Sequence, residues 1–190
     1  MTTRAIVCLL ALSVASLHAE PALLESGRPG VTALMMAAFS GSAQVGALLK
    51  AGARVDDAAA DGMTPLLFAS LRGSPSLVAQ LLDAGASIKA RNRNGMSALL
   101  LASEYNPDRA VVSLLLARGA SLADRDVRGR TPLMAAAGRN NFEVVETLLA
   151  AGADPKAVDN KNRTAAAYAQ FGNPKLAGTP TFWALYERQY

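Results

Sequence analysis

The chain has 190 residues, of which 51% are hydrophobic but only 5% aromatic, and it carries a formal charge of +4. Ala and Leu make up the apolar mass, which favours closely packed helices over β-sandwiches, and the length suits one cooperative domain better than two. A net charge this small excludes a dedicated nucleic-acid binder unless the basic residues cluster.

In chain order, residues 1–19 read first as a secretory signal. Arg4 precedes the apolar run Ala5 to Ser16, and Leu17-His18-Ala19 stands ahead of Glu20-Pro21, so cleavage is expected after Ala19. The run of about twelve apolar residues is short of the ~20 that span a bilayer. Cys8 lies too early for a lipid-modified cysteine. Cys8 and His18 are the single cysteine and histidine of the chain, so the processed protein has neither and forms no internal disulfide. Loss of Arg4 lowers the charge from +4 to +3. Residues 20–29 are expected to cover the start of the domain.

From residue 30 the chain repeats. Thr32-Ala33-Leu34-Met35, Thr64-Pro65-Leu66-Leu67, Ser97-Ala98-Leu99-Leu100, Thr131-Pro132-Leu133-Met134 and Thr164-Ala165-Ala166-Ala167 start 32, 33, 34 and 33 residues apart. A second series keeps step: Leu48-Leu49-Lys50-Ala51-Gly52-Ala53, Leu81-Leu82-Asp83-Ala84-Gly85-Ala86, Leu115-Leu116-Ala117-Arg118-Gly119-Ala120 and Leu148-Leu149-Ala150-Ala151-Gly152-Ala153. Each of these glycines lies twelve residues before the next Thr or Ser, which confines the variation in period to the turn between two helices.

The unit follows from local chemistry. Thr or Ser caps a first helix, and Pro65 and Pro132 take the first helical position, where the missing N–H costs nothing. Ala37, Ala38, Ala69, Ala102, Ala135 and Ala136 let neighbouring helices approach, and a second helix presents Val45, Leu48 and Leu49 or Val145, Leu148 and Leu149 at helical spacing. Gly52, Gly85, Gly119 and Gly152 end it. A turn in the twelve-residue link takes Gly62, Gly95 or Gly129, with Asn162 in the fifth unit.

The two registered motifs resemble the ankyrin repeat, with its Thr-Pro-Leu-His start and Leu-Leu-x-x-Gly-Ala end, over about residues 30–173. The resemblance implies an all-α solenoid of four to five helix-turn-helix repeats with hairpin-like links, at 30–60, 61–93, 94–127 and 128–160, followed by a degenerate fifth repeat and C-terminal cap over 161–190. The family's His is replaced by Met35, Leu67, Leu100, Met134 and Ala167, so its Thr–His hydrogen bonds are expected to be missing. A last amphipathic helix begins near Thr179, and Trp183 is expected to plug the end of the core.

Catalysis is not expected. Without His or Cys the processed chain lacks an imidazole base, a thiol nucleophile and the usual zinc ligands, and no phosphate loop follows a strand. The pairs Asp56/Asp57, Asp124/Asp126 and Glu143/Glu146 read as solvated charge. No cofactor, metal site or nucleic-acid partner is expected.

Binding is expected instead. The resemblance implies a concave face made by the first helices and the link tips, occupied by a protein. Its helix positions include Phe39, Leu71, Arg72, Glu104, Tyr105, Arg139 and Phe171, and its tips Met63, Arg93, Met96, Arg128, Arg130, Lys161 and Arg163. Aromatic and Arg side chains are what interface hot spots favour. The basic residues gather in the last three links, while Asp56, Asp57 and Asp61 mark the first, a polarity suited to an acidic partner. The expected protein is a monomer when free, located in a bacterial periplasm or, second, secreted, with no membrane insertion after processing. Small exported proteins of this kind resemble helpers of periplasmic enzymes and antitoxins for exported toxins; a self-associating scaffold is the structural alternative.

Overall fold

The computed structural model of the chain describes residues 30–139, 142–173, 176 and 178–187. The signal sequence and N-terminal cap expected over residues 1–29 lie outside them.

Five first helices, α1 (Ala33–Ser40), α3 (Pro65–Arg72), α5 (Ala98–Tyr105), α7 (Pro132–Arg139) and α9 (Ala165–Gly172), pack side by side. Four second helices, α2 (Gln44–Lys50), α4 (Pro75–Asp83), α6 (Arg109–Ala117) and α8 (Phe142–Ala150), form a parallel outer row, each antiparallel to its own first helix. A final helix, α10 (Pro180–Glu187), closes against α9 and α8. Among the described residues there is no strand, only an isolated antiparallel bridge between Arg91 and Ser97.

The caps form as their sequence dictates. The side-chain oxygens of Thr32, Thr64, Ser97 and Thr131 accept from the backbone N–H groups of Met35, Leu67, Leu100 and Met134 at 3.3–3.4 Å. Pro65 and Pro132 open their helices. Where the family has His, two methionines supply a substitute acceptor. The Thr32 and Thr131 N–H groups donate to Met35 Sδ at 3.4 Å and Met134 Sδ at 3.5 Å. Sulfur is a weak acceptor, so these contacts complete a capping box without matching its usual strength.

Between the rows lies one continuous apolar core. Leu34, Leu66, Leu99 and Leu133 of the first helices and Val45, Leu81, Leu115 and Leu148 of the second are 0–1% exposed. Fully burying such a side chain contributes about 1.5–3 kcal/mol.

The links stack as a backbone ladder. Arg93 N–H donates to Asp61 O at 2.9 Å, Val127 N–H to Asn94 O at 3.0 Å and Asn160 N–H to Arg128 O at 3.0 Å, each rung joining consecutive repeats. The turn in each link needs a left-handed residue. At Gly129, with φ +77°, a Cβ would come 2.4 Å from Asn160 Oδ1, so the next link excludes any side chain there. Asn162 occupies the same position at φ 56°, as expected of the next most tolerant residue.

The end of the stack differs from expectation in one respect. Helix α10 buries Leu185 and Thr181 and leaves Trp183 51% exposed, so Trp183 is not the core plug. Thr179 caps the helix through Phe182 N–H, and Thr181 Oγ1 donates to Glu146 Oε1 at 2.9 Å; together they turn the other side of α10 inward. Trp183 packs instead edge-on to Phe182 and Tyr186, with ring centroids 5.4 and 5.9 Å away.

Candidate protein-binding site

The inner face presents the first helices and links of successive repeats side by side. Of the residues expected to line it, Phe39, Arg72, Arg93, Tyr105, Arg128, Arg139, Lys161, Arg163 and Phe171 are exposed, and Leu71 is half-buried. Phe171 is 82% exposed, more than Phe39 or Tyr105 on the same face. Phe39 does two things at once: it packs edge-on to Phe68 at 5.9 Å and keeps 47% of its surface in solvent.

Met63, Met96 and Arg130 are corrections. Each immediately precedes a cap and is 6–7% exposed, because the link folds back and points this residue into the stack. Met63 and Met96 offer a partner almost no surface, and Arg130 reaches the face only as part of the wall of a depression. Asp126 and Asp159, at the link tips, are likewise 7% and 4% exposed, and Glu104 on α5 is 5% exposed, so none is a solvated charge.

These buried charges form two networks. In the first, Arg130 donates from Nε to Asp126 Oδ2 at 2.7 Å and from Nη2 to Glu104 Oε2 at 2.9 Å, joining repeats 3 and 4. Asp126 Oδ1 also accepts the Arg128 and Arg130 N–H groups, both at 2.9 Å. Burial lowers the Arg130 pKa, but its bonds to Glu104 and Asp126 outweigh that, and the net shift is upward. In the second, Asp159 accepts from Arg163 Nε at 3.0 Å, Arg163 Nη2 at 2.7 Å and Tyr168 Oη at 2.7 Å. Burial raises the Asp159 pKa, yet those bonds dominate and hold the carboxyl far below its usual range. Burial and the Asp159 carboxylate push Tyr168 up to about 12.

Much of the basic row in the links is therefore spent inside the protein. Arg91 pairs with Asp124 at 2.5 Å, and Arg125 Nη1 donates to Gly129 O at 2.9 Å and Val158 O at 2.7 Å. Arg128 in its link and Arg139 at the end of α7 stay open, with side chains 66% and 64% exposed. The Arg139 guanidinium lies 5.9 Å from the centre of the Tyr105 ring, and that of Arg163 lies 4.6 Å from the centre of Tyr168.

Sequence reasoning overlooked Tyr168, which separates two depressions on this face. One, of about 290 Å³, is lined by Glu104, Arg128, Arg130, Gly138, Arg139 and Tyr168 among others. Its neighbour, of about 240 Å³, is lined by Arg163, Ala167, Tyr168, Phe171 and Gly172. Comparing equivalent repeat positions reveals the first, because large side chains at Phe68 and Leu71 give way to Ala135 and Gly138 in repeat 4. Among the described residues no three His, Cys, Asp or Glu side chains converge as metal ligands, and no helix is long and apolar enough to cross a membrane.

Fold and face together define a solenoid of helix-pair repeats whose inner face exposes rings and guanidinium groups. The family model for ankyrin repeats, three copies long, matches residues 5–92, 34–126, 67–159 and 99–177, and the chain belongs to the ankyrin-repeat family. Such repeats generally mediate protein–protein interaction and are typically not catalytic. No curated protein matches the chain.

Proposed function

We propose that this protein is a non-catalytic binding module of the periplasm that holds an acidic protein client on its inner face and protects or regulates it, the client being an exported enzyme. The observation that carries this reading is the combination on one face of exposed rings and open guanidinium groups: Phe39, Tyr105 and Phe171 with Arg72, Arg128 and Arg139. Aromatic and Arg anchors contribute most of the energy of protein interfaces, and a positive patch speeds encounter with an acidic partner. The periplasmic location rests on the leader-like pattern of residues 1–19 and on the lack of Cys and His beyond it.

Affinity capture of the tagged full-length protein from its host, fractionated by compartment, tests this directly. A stoichiometric protein in the periplasmic fraction, lost when Arg128 and Arg139 are changed to Glu and Phe171 to Ser, is the expected result. Capture that survives all three changes would rule out the inner face as the binding surface.

A self-associating scaffold is the second reading, and the exposed rings of Trp183 and Tyr186 on the terminal helix favour it. Light scattering separates the two, since a mass that grows with concentration supports the scaffold.

A further inference from the structure

We infer that the depression on repeat 4 is a carboxylate subsite that receives a Glu or Asp side chain of the protein partner, an assignment that rests on the inner face being the binding surface. The depression has a cause in the sequence. Seven residues beyond each cap stand Phe39, Leu71, Glu104, Gly138 and Phe171; four residues beyond stand Met36, Phe68, Leu101, Ala135 and Tyr168. Repeat 4 alone has small residues at both positions, so α7 offers bare backbone where its neighbours offer side chains. The space that results, about 290 Å³, lies at the lower edge of the roughly 300–1,000 Å³ of small-molecule sites. It suits one side chain better than a cofactor.

Charge selects which side chain. Three guanidinium groups, those of Arg128, Arg130 and Arg139, share two carboxylates, those of Glu104 and Asp126, which leaves one positive charge in excess. The adjoining Asp159–Arg163 pair balances itself. Arg130 holds the two buried carboxylates at 2.7 and 2.9 Å, whereas Arg128 Nε and Arg139 Nε stand at 3.8 and 3.5 Å from them, beyond good hydrogen-bond length. The exposed pair therefore keeps most of its donor capacity for an incoming anion. A carboxylate between them would gain short charge-assisted bonds without disturbing the buried network. A cationic side chain would meet the same two arginines before it reached Glu104, whose side chain is 3% exposed. The neighbouring depression, bordered by Ala167, Phe171 and Tyr168, can take the apolar body of an adjoining residue.

The test uses the full chain and ¹⁵N NMR. Signals from the Nε–H groups of Arg128 and Arg139 and the Tyr168 amide are followed as acetyl-Glu-Glu-amide, its Gln-Gln analogue or inorganic phosphate is added. Saturable shifts with the Glu peptide, and none with the Gln peptide, are expected. Gly138→Leu fills the depression with the residue found at Leu71; its Cβ would lie 3.3 Å from Tyr168 Cδ1, a ring that can yield by a few tenths of an ångström. Arg128→Gln/Arg139→Gln removes the charge through two exposed side chains and serves if the first variant fails to fold. Either change should weaken the Tyr168 response about tenfold, a difference of about 1.4 kcal/mol. Equal shifts with phosphate, or shifts that survive both variants, would overturn the subsite. A partner captured through the inner face while these signals stay still sinks the subsite and spares the interface; saturation by the Glu peptide with no protein captured does the reverse.

Discussion

The two halves of the solenoid use the same backbone with different chemistry at the hinge of each link. The residue before the cap and the residue four earlier close the same turn in each of the four described links, the N–H of the earlier donating to the carbonyl of the later at 2.9–3.1 Å. In the N-terminal half the pairs are Ala59/Met63 and Asn92/Met96; in the C-terminal half they are Asp126/Arg130 and Asp159/Arg163. Asn92 Oδ1 accepts from the Asn94 and Met96 N–H groups just as Asp126 Oδ1 accepts from those of Arg128 and Arg130. The turn itself therefore needs no charged side chain at either position, and at Ala59 it closes with no side-chain acceptor from that position. The charges must serve something else, and they coincide with the end of the stack where the open arginines and both depressions lie.

The largest effect should be equal in the two halves. Leu66 and Leu133 hold equivalent positions and are 0% and 1% exposed, so replacing either with Ala leaves a similar cavity. Each variant should lose about 3.5 kcal/mol in urea unfolding followed by circular dichroism. A loss confined to one half would mean that the two halves do not share one core.

The hinge chemistry is broken next. Arg130→Met strands two buried carboxylates and should cost about 3 kcal/mol by the same measurement, near the low end for a broken buried pair because Arg128 and Arg139 stand close enough to compensate in part. Glu104→Leu/Asp126→Asn/Arg130→Met instead imports the residues found at Leu71, Asn92 and Met96. That triple variant should lie within about 1 kcal/mol of the wild type, since a buried ionic group can often be exchanged for packed neutral residues. Restored stability with weakened partner capture would show that the network positions the open arginines; a triple variant as unstable as the single one would make the charges structural.

The fold was open to reading because two motifs stayed in register over four units, a pattern that local chance does not sustain. Even the left-handed Asn162 could be expected from the glycines it replaces. What escaped was the direction of the link side chains. A basic or methionine residue at a loop tip reads as exposed, yet Met63, Met96 and Arg130 are packed away because the link hairpin doubles back before each cap. Four-residue spacing of Asp126 and Arg130 carries meaning only once that hairpin is known, since outside a helix it implies no contact. Trp183 escaped for a related reason: α10 has apolar residues on more than one side, and the sequence does not say which of them meets α9.

Acid should separate the halves further. Asp159 has a folded pKa depressed below the unfolded value of about 3.9, so its contribution is complete above that pH and is lost as the pH falls through the folded pKa. The N-terminal links carry no equivalent carboxylate at Ala59 or Asn92. Melting temperatures between pH 6 and pH 2 should therefore show wild type above Asp159→Asn at neutral pH, with the gap closing on acidification. A gap independent of pH would mean that hydrogen bonding, not charge, holds Arg163 and Tyr168 in place.

The smallest expected effect falls at the end of the stack, where any self-association would begin. Trp183 is the single tryptophan of the chain, so its fluorescence reports on α10 alone. Half of its surface is in solvent, and Trp183→Ser should change stability by no more than about 0.5 kcal/mol, as surface substitutions do. A core plug would instead cost several kcal/mol, near the 3–5 typical of a buried Trp replaced by Ala. In a monomer the native emission should be red-shifted, readily quenched by acrylamide and independent of protein concentration. Emission that shifts to the blue and resists quenching as concentration rises would mean that a second copy covers α10, and the charged C-terminal repeats would then lie beside a self-made interface.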